Sequence, residues 1–321
     1  MAGHCKKENC YPDETGCNLM GCEVLTDCEN YEGGVKSVPK DGATDGDEDF
    51  FIRAPWTGNS LGLQDLEFLA SQSKVTLVGI AGVANAGKTT FLATLYCLLR
   101  SGKKIGRYRF AGSLTLYGWE NIAWYLSWKR NNDIQFPPHT TSNAGRVPGL
   151  LHLCLRDDFG DEKDVVFTDA PGEWFDHWSF NQHDPNAQGA VWIHDNADAF
   201  LLFADCEMLA GTELGKARKQ IRMVADRIKD DLAGRPLGII WAKSDIMVDE
   251  DVKKQLTTYV NNSGIKNFQQ FDTSVRDAGD GSMHNNICAA IGWILERINL
   301  EQLILPTVAV AKAEDMFLSR R

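Results

Sequence analysis

The segment Gly82–Thr90 (GVANAGKTT) restricts how this chain can fold more than any other. It directly follows a β-branched run, Ser73–Ala81 (SKVTLVGIA), and leads into an apolar-faced helical pattern that begins at Phe91. In the spacing G-x4-G-K-T, the glycines let the backbone turn so that successive N–H groups point at phosphate oxygens. A strand, a glycine-rich loop and a helix in this order predict a phosphate-binding loop at the carboxyl end of a β-strand.

The side chains of this loop have distinct predicted roles. Lys88 is expected to reach the terminal phosphates and so to take part in catalysis, and the hydroxyl of Thr89 is expected to ligate Mg²⁺. The residues predicted to bind phosphate are Gly82, Asn85, Ala86, Gly87, Lys88, Thr89 and Thr90.

Strand and helix patterns alternate after the loop. The predicted strands are Leu150–Asp157, Asp164–Gly172, Ala197–Asp205, Arg235–Asp245 and Phe268–Arg276. A short amphipathic stretch, Leu61–Ala70, precedes the first strand, and Asn285–Ile298 has the apolar spacing of a closing helix. This alternation predicts an α/β fold, with a mainly parallel sheet and helices on both faces.

Length and charge limit the class of protein. A chain of 321 residues with 43% hydrophobic content is long enough for one large α/β domain and a small accessory piece. The formal charge is −11, and Met1–Phe50 alone, with twelve acidic and four basic side chains, contributes −8. This distribution argues against nucleic acid as a partner, because phosphate neutralisation needs clustered Lys and Arg. No leader-like segment and no apolar run of about eighteen residues is present, so we expect a cytoplasmic protein without a transmembrane segment.

Five of the nine cysteines are concentrated at the start of the chain. They are Cys5, Cys10, Cys17, Cys22 and Cys28. In a cytosolic protein such a cluster more often binds metal than forms disulfides, so we predict tetrahedral Zn²⁺ with four of the five thiolates as ligands. His4 is a weaker candidate ligand. The alternative is an unfolded head with incidental thiols, because the head has few core-forming residues.

Composition also suggests domain boundaries. Tyr31–Asp49 is rich in Gly and Asp and almost free of large apolar residues, as linkers are. We therefore predict a Cys-rich head over 1–30, an acidic linker over 31–60, a nucleotide-binding domain over 61–300 and a tail over 301–321. The remaining cysteines lie in apolar contexts typical of inert thiols, at Cys97, Cys154, Cys206 and Cys288.

Three more short motifs lie at the ends of predicted strands, and together they indicate the binding of a nucleotide and Mg²⁺. In DAPG, Asp169 can hold the Mg²⁺ shell and the N–H of Gly172 can meet a γ-phosphate. In AKSD, the Asp245 carboxylate can accept both hydrogens of a guanine N1/N2 edge, while the Lys243 stem lies over the ring. In TSVR, a backbone N–H at Ser274 or Val275 can bond the O6 of the base.

The order of these motifs is more specific than any one of them, because ligands of open α/β sheets bind at the carboxyl ends of strands. GTP or GDP with Mg²⁺ is the predicted cofactor set. An ATPase that uses the same loop, with Asp245 only a strand-end cap, is the first alternative.

With these motifs the chain resembles a TRAFAC-class GTPase with a Ras-like core. DAPG is similar to the DxxG of that class, AKSD to its NKxD and TSVR to its TSAK, and the resemblance covers about Lys74–Ile298. A Cys-rich head ahead of such a domain also looks like a set of poorly characterised bacterial GTPases of conflict or signalling systems.

The resemblance implies a switch-one threonine that closes over Mg²⁺ and the γ-phosphate. HTTSN precedes the second strand where that residue belongs, and Thr141 is the first choice and Thr140 the second. The alternative is that both only cap a loop. Arg146 is a minor candidate for an arginine finger in cis, because such fingers are also supplied in trans.

Two departures from the family pattern bear on activity. Ala242 replaces the Asn or Thr that ties the base-binding loop to the phosphate loop, and losing that hydrogen bond weakens binding by about 1 kcal/mol. Glu173 stands where Ras-like proteins carry the water-orienting Gln, so it is the candidate catalytic residue. Because Glu replaces that Gln, intrinsic hydrolysis of GTP is expected to be slow. A pseudo-GTPase scaffold that binds nucleotide without turning it over is the second alternative.

Aromatic residues cluster in two further segments. The segment Glu173–Asp184 is the natural switch two, with aromatic residues for a protein effector or regulator at Trp174, Phe175, Trp178 and Phe180. Within 101–138, a segment expected to be a long insertion, helical spacing favours core or a docking face for Trp119, Trp124, Tyr125 and Trp128. A metal site at His177, His183 and His194 is disfavoured, because their spacing lacks a compact ligand motif. Nucleotide-dependent formation of a homo-oligomer is a further alternative.

Overall fold

The computed structural model describes residues 4–5, 31–32, 59–127, 136–137, 148–277 and 279–300. The chain divides into two compact units, Met1–Arg53 and Ala54–Arg321.

The described part of the first unit is a short antiparallel pair of strands, β1 (His4–Cys5) and β2 (Tyr31–Glu32). His4 pairs with Glu32, and Cys5 pairs with Tyr31. The beginning of the predicted linker therefore pairs with the beginning of the predicted head. The domain boundaries drawn from composition stay a prediction.

The second unit contains a seven-stranded sheet. Its strands are β3 (Val75–Ala81), β4 (Arg109–Gly112), β5 (Gly149–Arg156), β6 (Glu162–Asp169), β7 (Ala199–Asp205), β8 (Leu237–Ala242) and β9 (Phe268–Thr273). The longer helices are α1 (Leu63–Gln72), α2 (Lys88–Arg100), α3 (Leu116–Trp124), α4 (Gly172–Phe180), α5 (Gln188–Asn196), α7 (Leu214–Asp230), α8 (Glu250–Asn262) and α9 (Ser282–Leu300). One short helix, α6 (Cys206–Ala210), directly follows β7.

The sheet has the order β4-β5-β6-β3-β7-β8-β9. The pairs from β6 to β9 are all parallel, whereas β5 is antiparallel to both β4 and β6. Because parallel strands end on the same edge of a sheet, the loops after β3, β6, β7, β8 and β9 all emerge together. The four sequence motifs occupy four of these five loops.

Strand β7 shows why the sheet is covered on both faces. All seven of its residues are buried, as expected for a parallel strand in the middle of a sheet. Leu201 and Phe203 pack into one core, with α2, α3 and α9. Phe200 and Leu202, on the other face, pack into a second core with α4, α5, α7 and α8. The predicted fold class, a mainly parallel α/β sheet between helices, is confirmed.

The structure adds a strand that the sequence did not suggest. Strand β4 lies within the segment expected to be an insertion, at an edge of the sheet beside β5. It has four residues (RFAG) with alternating exposure, too few for a clear sequence pattern. Among the described residues, no helix combines the length and apolar character needed to cross a bilayer.

Candidate functional site

The loop between β3 and α2 turns through left-handed backbone conformations. Gly82 has φ of +152°, Asn85 of +61° and Gly87 of +86°. A Cβ on Gly82 would lie 2.9 Å from the Cβ of Phe203, so this position needs glycine for space as well as for conformation. The turn brings the loop to the N-terminus of α2, and backbone N–H groups at the start of a helix favour anions.

Lys88, the first residue of α2, is buried beneath this loop. Its Nζ donates hydrogen bonds of 2.9 Å to the carbonyl oxygens of Gly82 and Val83. Burial lowers the pKa of Lys88 to about 8, although the negative charges of Asp169, Glu173 and Asp176 oppose the shift. The buried ammonium attracts an anionic group, whereas the negative charges of the nearby carboxylates oppose that attraction.

Thr89 and Asp169 bring two oxygen ligands together. The Thr89 hydroxyl donates a hydrogen bond of 2.9 Å to Oδ1 of Asp169, the last residue of β6. Hydroxyl and carboxylate oxygens are the ligands that Mg²⁺ prefers, and Mg²⁺ sites of this kind take few protein ligands. The donor set therefore fits Mg²⁺.

Gly172 lies against the backbone of the phosphate loop. A Cβ at Gly172 would be 2.1 Å from the backbone nitrogen of Ala84, closer than any side chain permits. Gly172 is the first residue of α4, and Glu173 follows in the first turn of the same helix. The start of α4 thus touches the loop that carries Lys88.

Lys243, after β8, is held by two carboxylates. It adopts a left-handed φ of +59°, and its Nζ donates hydrogen bonds of 2.8 Å to Asp205 and to Glu207. Burial lowers the pKa of Lys243, but the hydrogen bonds and charges of Asp205 and Glu207 outweigh burial and leave the pKa above its ordinary value. Lys243 is therefore a fixed cation.

Asp245 and Ser274 join the last two motifs. The buried hydroxyl of Ser274 donates a hydrogen bond of 2.5 Å to Oδ1 of the exposed Asp245. The backbone N–H of Ser244 also bonds the carbonyl oxygen of Thr273, at 3.0 Å. These two bonds hold the loops after β8 and β9 side by side.

A cavity of about 340 Å³ brings residues of all four motifs to one surface. The predicted site residues that line it are Asn85, Ala86, Gly87, Lys88, Thr89, Thr90, Gly172, Lys243, Asp245, Ser274 and Val275. Gly82 and Asp169 do not line it, but they bond Lys88 and Thr89, which do. Glu173 is likewise not in the lining.

Several lining residues were not predicted as site residues. Phe136, Pro137, Glu207 and Arg276 line the cavity, and the Arg276 guanidinium lies 5.5 Å from the centre of the Phe136 ring. Arg276 belongs to the TSVR motif, which was a signal for it. Phe136 lies outside all the motifs, and Glu207 follows a strand that ends without one, so the sequence offered no signal for either.

Ala242 occupies the position where the family pattern has Asn or Thr. It is buried at the end of β8, and a Cβ on Gly87 would lie 3.6 Å from the Ala242 Cβ. The loop after β8 and the phosphate loop after β3 therefore approach each other through apolar contact at this point.

The aromatic residues of α4 are mostly core. Trp174, Phe175 and Trp178 are buried, whereas Phe180 is 66% exposed. In the other predicted aromatic segment, Trp119 is fully buried and Trp124 is 56% exposed.

The histidines near α4 have hydrogen-bonding partners. Nδ1 of His177 lies 3.0 Å from Asp184, and Nδ1 of the buried His194 lies 3.4 Å from Asp195. Within the described ranges, no group of three or more His, Cys, Asp or Glu side chains has the arrangement of a metal site.

Several predicted residues lie outside the described part of the chain. These are the switch-one candidates Thr140 and Thr141, the finger candidate Arg146, Trp128, and the cysteines Cys10, Cys17, Cys22 and Cys28. For His4 and Cys5 only the strand is described. The zinc site and the switch-one ligand stay predictions.

Comparison with known proteins agrees with the arrangement of the site. A search of curated proteins found no match for this chain. The sequence model of one family, Double-GTPase 2, matches residues 76–294, which include β4 to β9, all of β3 except its first residue, and all four motifs. This match covers more than half of the chain, so the chain belongs to the Double-GTPase 2 family of P-loop GTPases.

Proposed function

We propose that this protein is a GTP-binding molecular switch that hydrolyses GTP slowly and needs Mg²⁺. The supporting observation is the single cavity that Lys88, Gly172, Asp245 and Ser274 line together. Lys88 and Gly172 are the proposed phosphate-binding residues of this set, and Asp245 and Ser274 are the proposed base-reading residues. Family membership supports GTP binding and GTPase function in general.

The phosphate end acts by position and charge. The N–H groups of the loop from Asn85 to Thr89 point at phosphate oxygens, and Lys88 exchanges its bonds to loop carbonyls for bonds to the terminal phosphates. Gly172 lies beside the loop, and its N–H is the proposed donor to the γ-phosphate. Such catalysis is positioning and electrostatic stabilisation, so no covalent nucleophile is needed.

Thr89 and Asp169 are the proposed ligands on the Mg²⁺ side, with Thr141 added from the sequence. When bound, Mg²⁺ neutralises charge that develops on the β- and γ-phosphate oxygens. Thr89 and Asp169 already share a hydrogen bond, so their oxygens do not have to be brought together at binding.

The base end selects guanine. The Asp245 carboxylate accepts from the N1–H and N2–H edge, which adenine lacks, and the Lys243 stem lies over the ring. Ser274 holds Asp245 through its hydroxyl, and the backbone at Ser274 and Val275 faces the O6.

Helix α4 is the proposed switch-two element and contact for a protein effector or regulator. It begins against the phosphate loop at Gly172 and is attached to α7, where Asp176 accepts a hydrogen bond of 3.0 Å from Gln220. A change at the γ-phosphate would therefore be passed from Gly172 to α7 through α4. The placement of the switch in a bacterial signalling or conflict system rests on the resemblance of the sequence alone.

Nucleotide titration tests the guanine assignment. Fluorescent GTP and ATP analogues are titrated against the wild-type protein, Asp245→Asn and the control Asp195→Asn, an exposed carboxylate outside the cavity. Loss of a charge-assisted bond is worth about 1.5–3 kcal/mol, so Asp245→Asn should weaken GTP binding roughly 10- to 100-fold and leave ATP binding unchanged. Equal wild-type affinities for GTP and ATP would support the ATPase alternative and reject guanine selection.

A nucleotide-binding scaffold without turnover is the second candidate function. Ala242 and Glu173 favour it, because the first removes a hydrogen-bonding side chain between the two loops and the second adds negative charge near Lys88. Phosphate release by the wild type, measured against Lys88→Ala, separates the two functions. A wild-type rate equal to that of the variant, with GTP bound, would reject slow hydrolysis.

The head is tested separately. We propose that four of five cysteines bind zinc, namely four of Cys5, Cys10, Cys17, Cys22 and Cys28. We also propose a cytoplasmic location and association of copies of the chain that depends on nucleotide. Metal content of the full chain before and after chelation tests the first point, and a folded, metal-free protein would reject it.

A further inference from the structure

We propose that Asp205 and Glu207 are positioning residues that hold Lys243 in place for recognition of the purine base. The inference rests on the proposed function, because Lys243 contacts the base only if the protein binds GTP as proposed. It assigns the positioning of the Lys243 side chain to two carboxylates. Neither residue belongs to one of the four motifs.

Asp205 has both carboxylate oxygens engaged. It is the last residue of β7 and its side chain is 3% exposed. Oδ1 accepts a hydrogen bond of 2.9 Å from the backbone N–H of Glu207, as the N-cap of α6, and Oδ2 accepts one of 2.8 Å from Lys243. The cap fixes the rotation of the carboxylate, and the rotation aims Oδ2 at the ammonium.

Glu207 provides the second attachment from the cavity side. Its carboxylate accepts a hydrogen bond of 2.8 Å from Lys243, and the residue lines the cavity. The hydrogen bond from Lys243 and its charge lower the pKa of Glu207, while the negative charge of Asp245 opposes this and Arg276 favours it. Glu207 is thus electrostatically coupled to the base end of the cavity.

Two attachments at the ammonium determine where the rest of the Lys243 side chain lies. The backbone at Lys243 is in the left-handed conformation, and the ammonium is bound at the other end, so the stem between them has little freedom. A stem that is already ordered loses less rotamer entropy when a ring packs on it. The pair therefore pre-organises the contact with the base.

The pair also keeps Lys243 from neutralising Asp245. The two residues are separated by Ser244 only, and a free ammonium would be drawn to the Asp245 carboxylate. In the structure the Lys243 ammonium is bonded to Asp205 and Glu207 instead, while Asp245 is bonded by Ser274. Asp245 therefore keeps acceptor capacity for the base.

The test is a mutant cycle with a GTP analogue. Full-length Glu207→Gln, Asp205→Asn, Lys243→Met and the double variant Lys243→Met/Glu207→Gln are titrated beside Glu213→Gln. Glu213 is the matched control, since it is an exposed carboxylate that pairs with Lys216 and is outside the cavity lining.

We expect the loss of affinity for the GTP analogue to depend on how exposed the replaced carboxylate is. Glu207→Gln removes an exposed ion pair and should weaken binding about two- to five-fold. Asp205→Asn removes a buried charge-assisted bond and should weaken it roughly 10- to 100-fold. Glu213→Gln should bind as the wild type does. In the Lys243→Met background, Glu207→Gln should have no further effect.

The possible failures are distinguishable. Unchanged affinity of Glu207→Gln, or an equal loss with and without Lys243, would overturn this inference and leave the proposed function standing. A wild-type protein that does not bind GTP would overturn both. If Asp205→Asn does not fold, as judged by thermal melting, the exposed Glu207→Gln decides the question alone.

Discussion

The Thr89 hydroxyl donates a hydrogen bond of 2.9 Å to the Asp169 carboxylate, across a sequence separation of 80 residues. Thr89 comes from the start of α2 and Asp169 from the end of β6. This bond joins the phosphate loop to the acidic strand end, so the fold itself brings together the two groups proposed to hold Mg²⁺.

Removal of the Thr89 hydroxyl should affect both stability and Mg²⁺ dependence. Thr89→Ala loses one hydrogen bond, so the free energy of unfolding should fall by about 1 kcal/mol. GTP affinity in Mg²⁺ should fall towards the value that the wild type shows in EDTA. Thr89→Ser keeps the hydroxyl and is the control. A Thr89→Ala protein whose GTP affinity rises on adding Mg²⁺ by as much as that of the wild type would contradict the ligand role.

A methyl group at Gly172 should separate α4 from the phosphate loop. The new Cβ of Gly172→Ala would lie 2.1 Å from the Ala84 nitrogen, so one of the two backbones must move. We expect weaker GTP binding and slower phosphate release.

Gly215→Ala, in α7, is the matched control for this change. A Cβ at Gly215 meets nothing within 4 Å, and alanine in place of glycine in a helix should stabilise the protein by up to about 1 kcal/mol. Equal nucleotide binding by both alanine variants would show that the close approach of Gly172 has no functional role.

The His152 side chain should make the protein less stable in mild acid. The buried ring accepts a hydrogen bond of 3.0 Å from the Leu114 N–H at Nδ1, and Nε2 lies 2.9 Å from Asp164. Burial lowers the pKa of His152, although the hydrogen bond and charge of Asp164 oppose the shift. A lowered pKa means that the unfolded chain takes up the proton first as the pH falls below about 6.5.

The free energy of unfolding should therefore be highest above pH 6.5 and fall as the pH is lowered towards the folded-state pKa. The slope cannot exceed about 1.4 kcal/mol per pH unit for one group. Urea denaturation between pH 5 and pH 7.5 measures it. His152→Gln should flatten the curve, whereas His183→Gln, at an exposed position, should not.

Truncation of two aromatic residues of α4 should lower the stability of the protein to very different extents. Trp178 is 4% exposed and Phe180 is 66% exposed. Trp178→Ala should lower the free energy of unfolding by about 3–5 kcal/mol, because it leaves a cavity in the core. Phe180→Ala should change it by about 0.5 kcal/mol or less. Urea denaturation of both variants checks the difference, and a large loss for Phe180→Ala would mean that its ring is buried in solution.

Much of the site was predictable because the motifs are local. The spacing of Gly82, Gly87, Lys88 and Thr89 specifies a turn and a helix start within nine residues, and alternating strand and helix patterns specify a parallel sheet. Parallel strands end on one edge, so the sequence also predicted that Asp169, Asp245 and Ser274 meet there. The sheet order agrees with the predicted parallel sheet, and family membership agrees with the predicted GTPase domain.

Short elements and motif-free positions were not predictable. Strand β4 has four residues and gains its hydrogen bonds from β5, more than thirty residues away along the chain. Phe136 carries no motif, and its place in the cavity follows from packing beside Arg276.

The sequence by itself determined the phosphate loop, the order of the motifs and the α/β class, because these depend on residue types at fixed short spacings. Only the tertiary structure decided that Asp205 and Glu207 bind Lys243, that Ser274 bonds Asp245, and that Gly172 touches Ala84. The physical reason is that each of these contacts joins loops from different strands, and their geometry depends on how the whole sheet twists and packs.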